Sequence, residues 1–338
     1  MCIFGVALDT LPDLPFIIVF NRDEFFDRPT TSPQLQEDGL LCAIDGEKGG
    51  TWMGFNTRTG TFAALTNVRC EAPSGMHSRG QLVRRVLLGD KASLSSSEFA
   101  SFNLLSGFLE ANGGHGLELS ASTPEDLGGG GPWKTVTRTV GRSGKAEVHV
   151  KTNDASGRLV SEGTAGEQDW PKATWLRAEL IRILAGLPRE SAGKEGAKAV
   201  LKALEPAISA ATLPDDVAAR AKRCRAKWTT LSVEREQACA SFPAPAFGCC
   251  LMSTVLFYQA LQAAPFIRPL GNGTAGDERY GTVSQSAIIV STSARSIFYA
   301  YRSIPDGGPP DPWEWQQVVL VEGSRASVCA KLDPEAPV

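Results

Sequence analysis

Two nearly unbroken apolar runs open the chain, residues 2–8 (CIFGVAL) and 15–20 (PFIIVF), and predict two short strands buried on both faces. A turn rich in Pro and Asp at 9–14 separates them. The second run leads straight into four polar residues, Asn21-Arg22-Asp23-Glu24. Past the loop DRPTTSPQ, the pattern predicts a strand over 51–56, a turn at 56–60 and a strand over 61–66, a hairpin arrangement. Helical periodicity begins after Ser78, with Leu82, Val83, Val86 and Leu87 on one face and Gly89 as the stop. A second helix is expected over 95–109. The glycine run 128–131 punctuates the chain, and residues 133–140 and 145–151 read as a hairpin around 141–144. Residues 170–187 predict a helix whose stripe is Trp175, Leu176, Leu180, Ile183 and Leu184. Helices over 193–212 and 215–228 follow, then an irregular stretch at 241–279 and strands at 285–292, 295–302 and 317–322. Strands, helices and strands again predict an α+β protein with helices segregated from antiparallel sheets.

Composition narrows the class. The 338 residues, 42% of them hydrophobic, hold enough apolar material for one large unit, so a single domain over 1–338 is expected. A formal net charge of −3 and a pI near 5.8 give no global pull toward nucleic acid, and no nucleic-acid partner is expected. No apolar run reaches the roughly 18 residues a membrane helix needs. No basic residue precedes Arg22, and Asp9 and Asp13 lie close to the start, against both a signal peptide and a transit peptide. The expectation is a cytoplasmic protein without a signal peptide or transmembrane segment. The eight cysteines (2, 42, 70, 224, 239, 249, 250 and 329) contain no Cys-x-x-Cys and are expected to be reduced.

The chemistry concentrates at the start. Cys2 reads either as a small apolar residue heading a strand or, once Met1 is removed, as a nucleophile that carries its own base. A free α-amine titrates near ~7.7–8.0 and a thiol near ~8.5, so both are poised close to neutral pH. With only three histidines (His77, His115, His149), none in a motif, such self-activation replaces a Cys–His pair. The partners it needs are Arg22 to favour the thiolate, Asp23 to hold the amine and Asn67 to donate to an oxyanion. The competing reading makes Asn21–Glu24 a polar turn with an exposed Arg22–Glu24 pair, and Asn67 a loop cap.

The ordered set MC, NRDE, RP, GGTWMGF, AALTN, SRGQLV and YGT resembles the NRDE-motif family, the transport and Golgi organisation protein 2 family. The resemblance is dense over 1–89, returns at 102–105, near 170–180 and at 280–292, and is weak between. It implies a relative of N-terminal-nucleophile (Ntn) hydrolases: a four-layer αββα sandwich with a helical insertion over about 187–240. Carried across, the nucleophile falls on Cys2, the Arg/Asp pair on Arg22 and Asp23, and the asparagine on Asn67. Two functions are implied. One is a role in Golgi organisation and secretion and in haem or acyl-lipid handling linked to mitochondria, with association at mitochondria and the Golgi/ER. The other is an active amidohydrolase or acyl-thioesterase. The small-molecule partner is an acyl compound or haem, no cofactor is required, and haem enters only as a transported ligand. Two departures leave the later half of the site incomplete. Val283 stands where the family continues Tyr-Gly-Thr with Arg, leaving Arg279 or Arg302 as substitutes, and Gly163-Thr164-Ala165-Gly166 lacks a Ser-Asn.

Other features carry less. His77 and Cys249 are the candidates for a transient haem ligand, against incidental roles for both. Arg220, Lys222, Arg223, Arg225 and Lys227 crowd one short stretch and suggest an anionic membrane surface as partner, or else a solvated helix. Gly46–Thr51 lacks the order of a phosphate loop. Gly49 and Gly50 are expected to turn the backbone beside the site, with Trp52 as a pocket wall or a core residue.

Overall fold

The computed structural model describes residues 2–68, 76–95, 98–110, 112–124, 133–142, 144–153, 159–160, 171–210 and 280–319. Two antiparallel sheets dominate. The first has six strands in the order β10-β1-β2-β11-β12-β13: β1 Ile3–Leu8, β2 Phe16–Phe25, β10 Glu147–Lys151, β11 Tyr280–Ser291, β12 Ser296–Ser303 and β13 Glu314–Val319. The second runs in chain order through β3 Gln34–Leu35, β4 Leu40–Cys42, β5 Met53–Asn56, β6 Thr61–Asn67, β7 Phe102–Leu109, β8 His115–Pro124 and β9 Trp133–Arg142. Three α-helices complete the described elements: α1 Arg79–Leu87, α2 Pro171–Ala185 and α3 Gly193–Ile208.

Side-chain alternation sorts the core into three apolar layers. Ile17 and Val19 of β2 pack with Leu176, Leu180, Val200 and Leu204 of α2 and α3. The alternate residues Phe16, Ile18 and Phe20 meet Met53, Phe55, Phe62 and Leu105 of the facing sheet. On that sheet's far side, Ala63, Leu65 and Leu104 pack against Leu82, Val83, Val86 and Leu87 of α1. The stack therefore runs helix pair, six-stranded sheet, seven-stranded sheet, helix. The continuous apolar character of β1 and β2 follows from burial on both faces, each large side chain contributing about 1.5–3 kcal/mol. Gly5 lets α2 lie close on β1, since a Cβ there would sit 2.4 Å from Leu180 Cδ1.

Three sequence expectations change. Residues 95–109 form no helix: a short 3₁₀ turn at Ala92–Ser95 precedes β7. Phe102 and Leu104 face α1 while Leu105 and Leu109 face the other sheet, and an apolar run buried on both faces looks alike in a strand and a helix. Residues 133–140 and 145–151 are not a hairpin either. Strand β9 pairs with β8 in one sheet and β10 with β1 in the other, so the chain crosses between layers at this point. Asn21–Glu24 is no turn, because β2 continues through it to Phe25.

Of the expected insertion, α3 packs against β11, β12 and β2. The helix over 215–228, the irregular stretch 241–279, the basic residues Arg220 to Lys227, Cys249, Arg279 and Gly163–Gly166 lie outside the described residues. Among the described residues, no helix is long and apolar enough to cross a membrane.

Candidate functional site

The β1–β2 register pairs Ile3 with Asn21, and one further step sets Cys2 beside Arg22. Across the other edge of β2, Arg22 pairs with Ser284 and Asp23 with Thr282 of β11. Because β2 stays extended through the motif, its four polar side chains alternate between the two faces of the sheet and take four separate roles.

Asn21 points to the helices. Its amide donates to the carbonyl of Ile208 at 2.7 Å, at the C-terminus of α3, and its oxygen accepts from Gln285 at 2.9 Å. Arg22 points between the sheets. It donates to Asp45 Oδ2 at 2.9 Å and Thr30 Oγ1 at 3.1 Å, and its guanidinium lies 4.5 Å from the ring centroid of Trp52. Asp23 is buried and accepts from the Thr282 hydroxyl at 2.7 Å. Its backbone carbonyl accepts from the Tyr280 hydroxyl at 2.9 Å and faces the Cys2 thiol at 3.9 Å. Glu24 pairs with Arg28 at 3.1 Å, not with Arg22.

The loop after β4 holds the arginine. Asp45 Oδ1 accepts from the backbone amides of Glu47 and Lys48, while Oδ2 bridges Arg22 and Arg28. Burial pushes the Asp45 carboxyl up, but the Lys48 amide and the two arginines outweigh it and hold the group below its usual range. Gly49 takes a positive φ of 67°, and a Cβ on Gly50 would lie 2.5 Å from the backbone of Gly80. These glycines let the loop fold down against α1 and present Asp45.

Electrostatics around Cys2 are mixed. The thiol is half-buried, and burial pushes it above the ordinary cysteine range; the Asp23 charge adds to this and Arg22 opposes it. Lys172, in the first turn of α2, is completely buried. Burial lowers its pKa, while the charges of Asp23 and Cys2 pull it back up. Asp23 and Cys2 are thus electrostatically coupled to the buried Lys172. Cys42, the other described cysteine, is buried against α1, with its thiol pushed up to about 11 by burial.

Asn67 ends β6 on the facing sheet and is only half-buried. The alternation along β6 sends it to the face of Leu65, while Thr66 turns inward, accepts from Asn103 at 3.3 Å and donates to the Thr152 carbonyl at 2.9 Å. Arg302 lies on the helix side of its sheet. It is engaged by Gln285, Ser209 and Glu205 and stacks over Trp313 at 4.4 Å, so it sends no charge to the face carrying Arg22. His77 is exposed, its ring 5.9 Å from that of Phe99. Among the described residues, no group of three or more His, Cys, Asp or Glu is placed to hold a metal ion.

The model of the family described as Transport and Golgi organisation 2 matches residues 1–303. The chain belongs to this family. Curated relatives agree. A cattle protein named Transport and Golgi organization protein 2 homolog is 35% identical over 132 residues, covering 34% of this chain and 48% of that protein. The human homolog of the same name is 36% identical over 105 residues, covering 28% of this chain and 38% of its own length. A mouse homolog is 33% identical over 132 residues, 34% of this chain and 48% of the relative. The match thus spans about half or less of the length of these relatives.

In this Transport and Golgi organisation 2 family chain, Cys2, Arg22 and Asp23 come together, whereas Asn67 stands apart on the second sheet. Sequence reasoning missed Asp45, Thr282 and Lys172. An Asp followed by Gly-Glu-Lys-Gly-Gly signals an Asx turn and could have flagged Asp45. Thr282 and Lys172 lie far along the chain, and the Tyr-Gly-Thr motif that ends in Thr282 marks a position without naming its partner.

Proposed function

We propose that the chain acts on an acyl amide or acyl thioester as an Ntn-type cysteine hydrolase, its helix–sheet–sheet–helix stack being the αββα sandwich of that class. The observation that carries this reading is the Cys2 thiol at 3.9 Å from the Asp23 carbonyl, with Arg22 one strand away. With Met1 removed, the Cys2 α-amine takes the thiol proton and Sγ attacks the acyl carbon. The bond to nitrogen or sulfur breaks, and the proton passes to the leaving group. Water then cleaves the acyl-thiol bond, returning the thiol and releasing a carboxylic acid. Asp23 holds the amine and Arg22 favours the thiolate.

A second reading keeps the cluster around Cys2 as a binding site but not the chemistry. In it, the chain handles haem or acyl lipid in the cytoplasm, at mitochondria and the Golgi/ER, in support of Golgi organisation and secretion. The basic stretch from Arg220 to Lys227 would then meet an anionic membrane. This reading is favoured by the raised Cys2 thiol and by an Arg22 charge already matched by Asp45. Intact mass followed by iodoacetamide labelling at neutral pH separates the two. A processed N-terminus with fast labelling at Cys2, and turnover of acyl amides or acyl thioesters, supports the hydrolase. A retained Met1 with sluggish Cys2 and saturable binding of haem or acyl lipid supports the binder.

A further inference from the structure

Two buried polar groups flank Arg22 without a hydrogen-bond partner: the Ser284 hydroxyl and the Trp52 indole N–H. Ser284 is 1% exposed and pairs directly across from Arg22. It shares the inter-sheet face with Ile288 and Val290 further along β11. Trp52 is 6% exposed and lies under the guanidinium from the opposite sheet. Arg22 itself has more N–H groups than its bonds to Asp45 and Thr30 use. A buried polar group left without a hydrogen bond is destabilising, so two around one side chain call for an outside partner. The indole and the guanidinium can only donate and the hydroxyl can donate as well, so one partner serving all three is an acceptor. Arg22 and Arg28 already face Asp45 and Glu24, and this charge balance favours a neutral carbonyl oxygen over a carboxylate or phosphate.

We infer that Ser284, Trp52 and Arg22 form a specificity subsite for a neutral carbonyl oxygen on the ligand, with Ser284 two strands over from Cys2. Strand spacing puts this oxygen about 10 Å from the group at Cys2. The inference rests on the acyl-ligand reading and narrows it: the ligand carries a second carbonyl, of an amide or ester, at that reach. It binds no simple hydrocarbon tail at this point. Ser284 and Trp52 are specificity residues, and the reacting atoms stay with Cys2.

The test compares octanal with its ω-carboxamide analogue on the full chain with Met1 removed, by titration calorimetry. In each case Sγ adds to the aldehyde carbon, the carbonyl π pair moves to oxygen, and the thiol proton ends on that oxygen as the hemithioacetal forms. The wild-type chain binds the carboxamide about tenfold more tightly. Ser284→Ala and Trp52→Phe each remove most of that preference while leaving octanal affinity and Cys2 alkylation by iodoacetamide unchanged. Equal affinity for the two aldehydes in the wild type overturns the subsite and hands the donors to an ordered water. Failure to bind either aldehyde also overturns it. Alkylation then tells which reading has gone, since a Cys2 that still alkylates preserves the nucleophile. Carboxamide binding by a chain whose Cys2 does not alkylate keeps the subsite and removes the hydrolase.

Discussion

The Thr282 hydroxyl reaches the Asp23 carboxylate at 2.7 Å because Val283 is an extra residue in the ladder between β2 and β11. Neighbouring residues of β2 pair with Thr282 and Ser284, so the bulge sends those two side chains to opposite faces of the sheet. Thr282 joins Asp23, and Ser284 joins Arg22. The position where the family's arginine was expected therefore serves here to sort polar groups between two layers. Replacing Thr282 with Val keeps the shape and removes a donor to a buried carboxylate. The expected loss is about 1.5–3 kcal/mol in urea unfolding, with an unchanged m-value.

The charges on either side of Cys2 make opposite predictions for its reactivity. Asp23 raises the thiol pKa and Arg22 lowers it, on top of the larger upward push from burial. Alkylation followed against pH has a midpoint above the ordinary cysteine range in the wild type. Arg22→Met moves this midpoint further up and Asp23→Asn moves it down. Measured in a chain that retains Met1, the shifts report on the thiol alone. If both variants moved it the same way, the thiol would be responding to packing rather than to these charges.

Much of this arrangement was legible before the fold was known. The strands β1, β2 and β12 and the β5–β6 hairpin stand out by apolar runs and turn residues, and α1 and α2 by helical periodicity. Cys2, Arg22 and Asp23 could be picked out because two adjacent buried strands present them together. What stayed hidden was long-range. The Thr282–Asp23 contact joins residues 259 apart in sequence, and no local pattern encodes such a pairing. Strand β7 was obscured for a different reason. Both of its faces are buried, so it lost the polar–apolar alternation that identifies a strand. Asn67 stands in a motif, but on a strand a motif gives position without face. One residue's difference, Thr66 against Asn67, decides which layer a side chain enters.

Gly50 carries a steric prediction. The backbones of Gly50 and Gly80 approach so closely that a Cβ on Gly50 would lie 2.5 Å from the carbonyl carbon of Gly80. The clash is with main chain, which cannot swing aside. Gly50→Ala is expected to cost about 1–3 kcal/mol in urea unfolding. It also lifts the loop that carries Asp45, so Arg22 loses its anchor and the pH midpoint of Cys2 alkylation moves. Gly144→Ala is the control for added bulk, because no atom lies within 4 Å of a Cβ there. Its positive φ still adds local strain, so only the Cys2 midpoint is expected to stay at the wild-type value.

Asp13 joins three parts of the fold that are distant in sequence. From the β1–β2 turn, its carboxylate accepts from the hydroxyls of Ser291 at 2.7 Å and Thr292 at 2.8 Å, and from the backbone amides of Gly193 at 2.9 Å and Ser293 at 2.5 Å. Gly193 opens α3, whose N-cap residue Ala192 has no capping side chain, so Asp13 supplies the cap from elsewhere in the chain. Partial burial pushes its pKa up, but the bonds from Ser291, Gly193, Thr292 and Ser293 outweigh this and hold it below the usual carboxylate range. A carboxylate with a depressed folded pKa adds stability that is complete above its unfolded pKa near ~3.9 and fades as pH falls through the folded value. Asp13→Asn is therefore expected to lower stability by about 1–3 kcal/mol at neutral pH. The gap to wild type should shrink on acidification below the unfolded pKa, as protonated Asp13 comes to resemble the amide. Urea unfolding of both chains across that range checks this directly. A gap that stayed constant with pH would mean that the carboxylate's charge contributes nothing and that only its shape holds the three segments together.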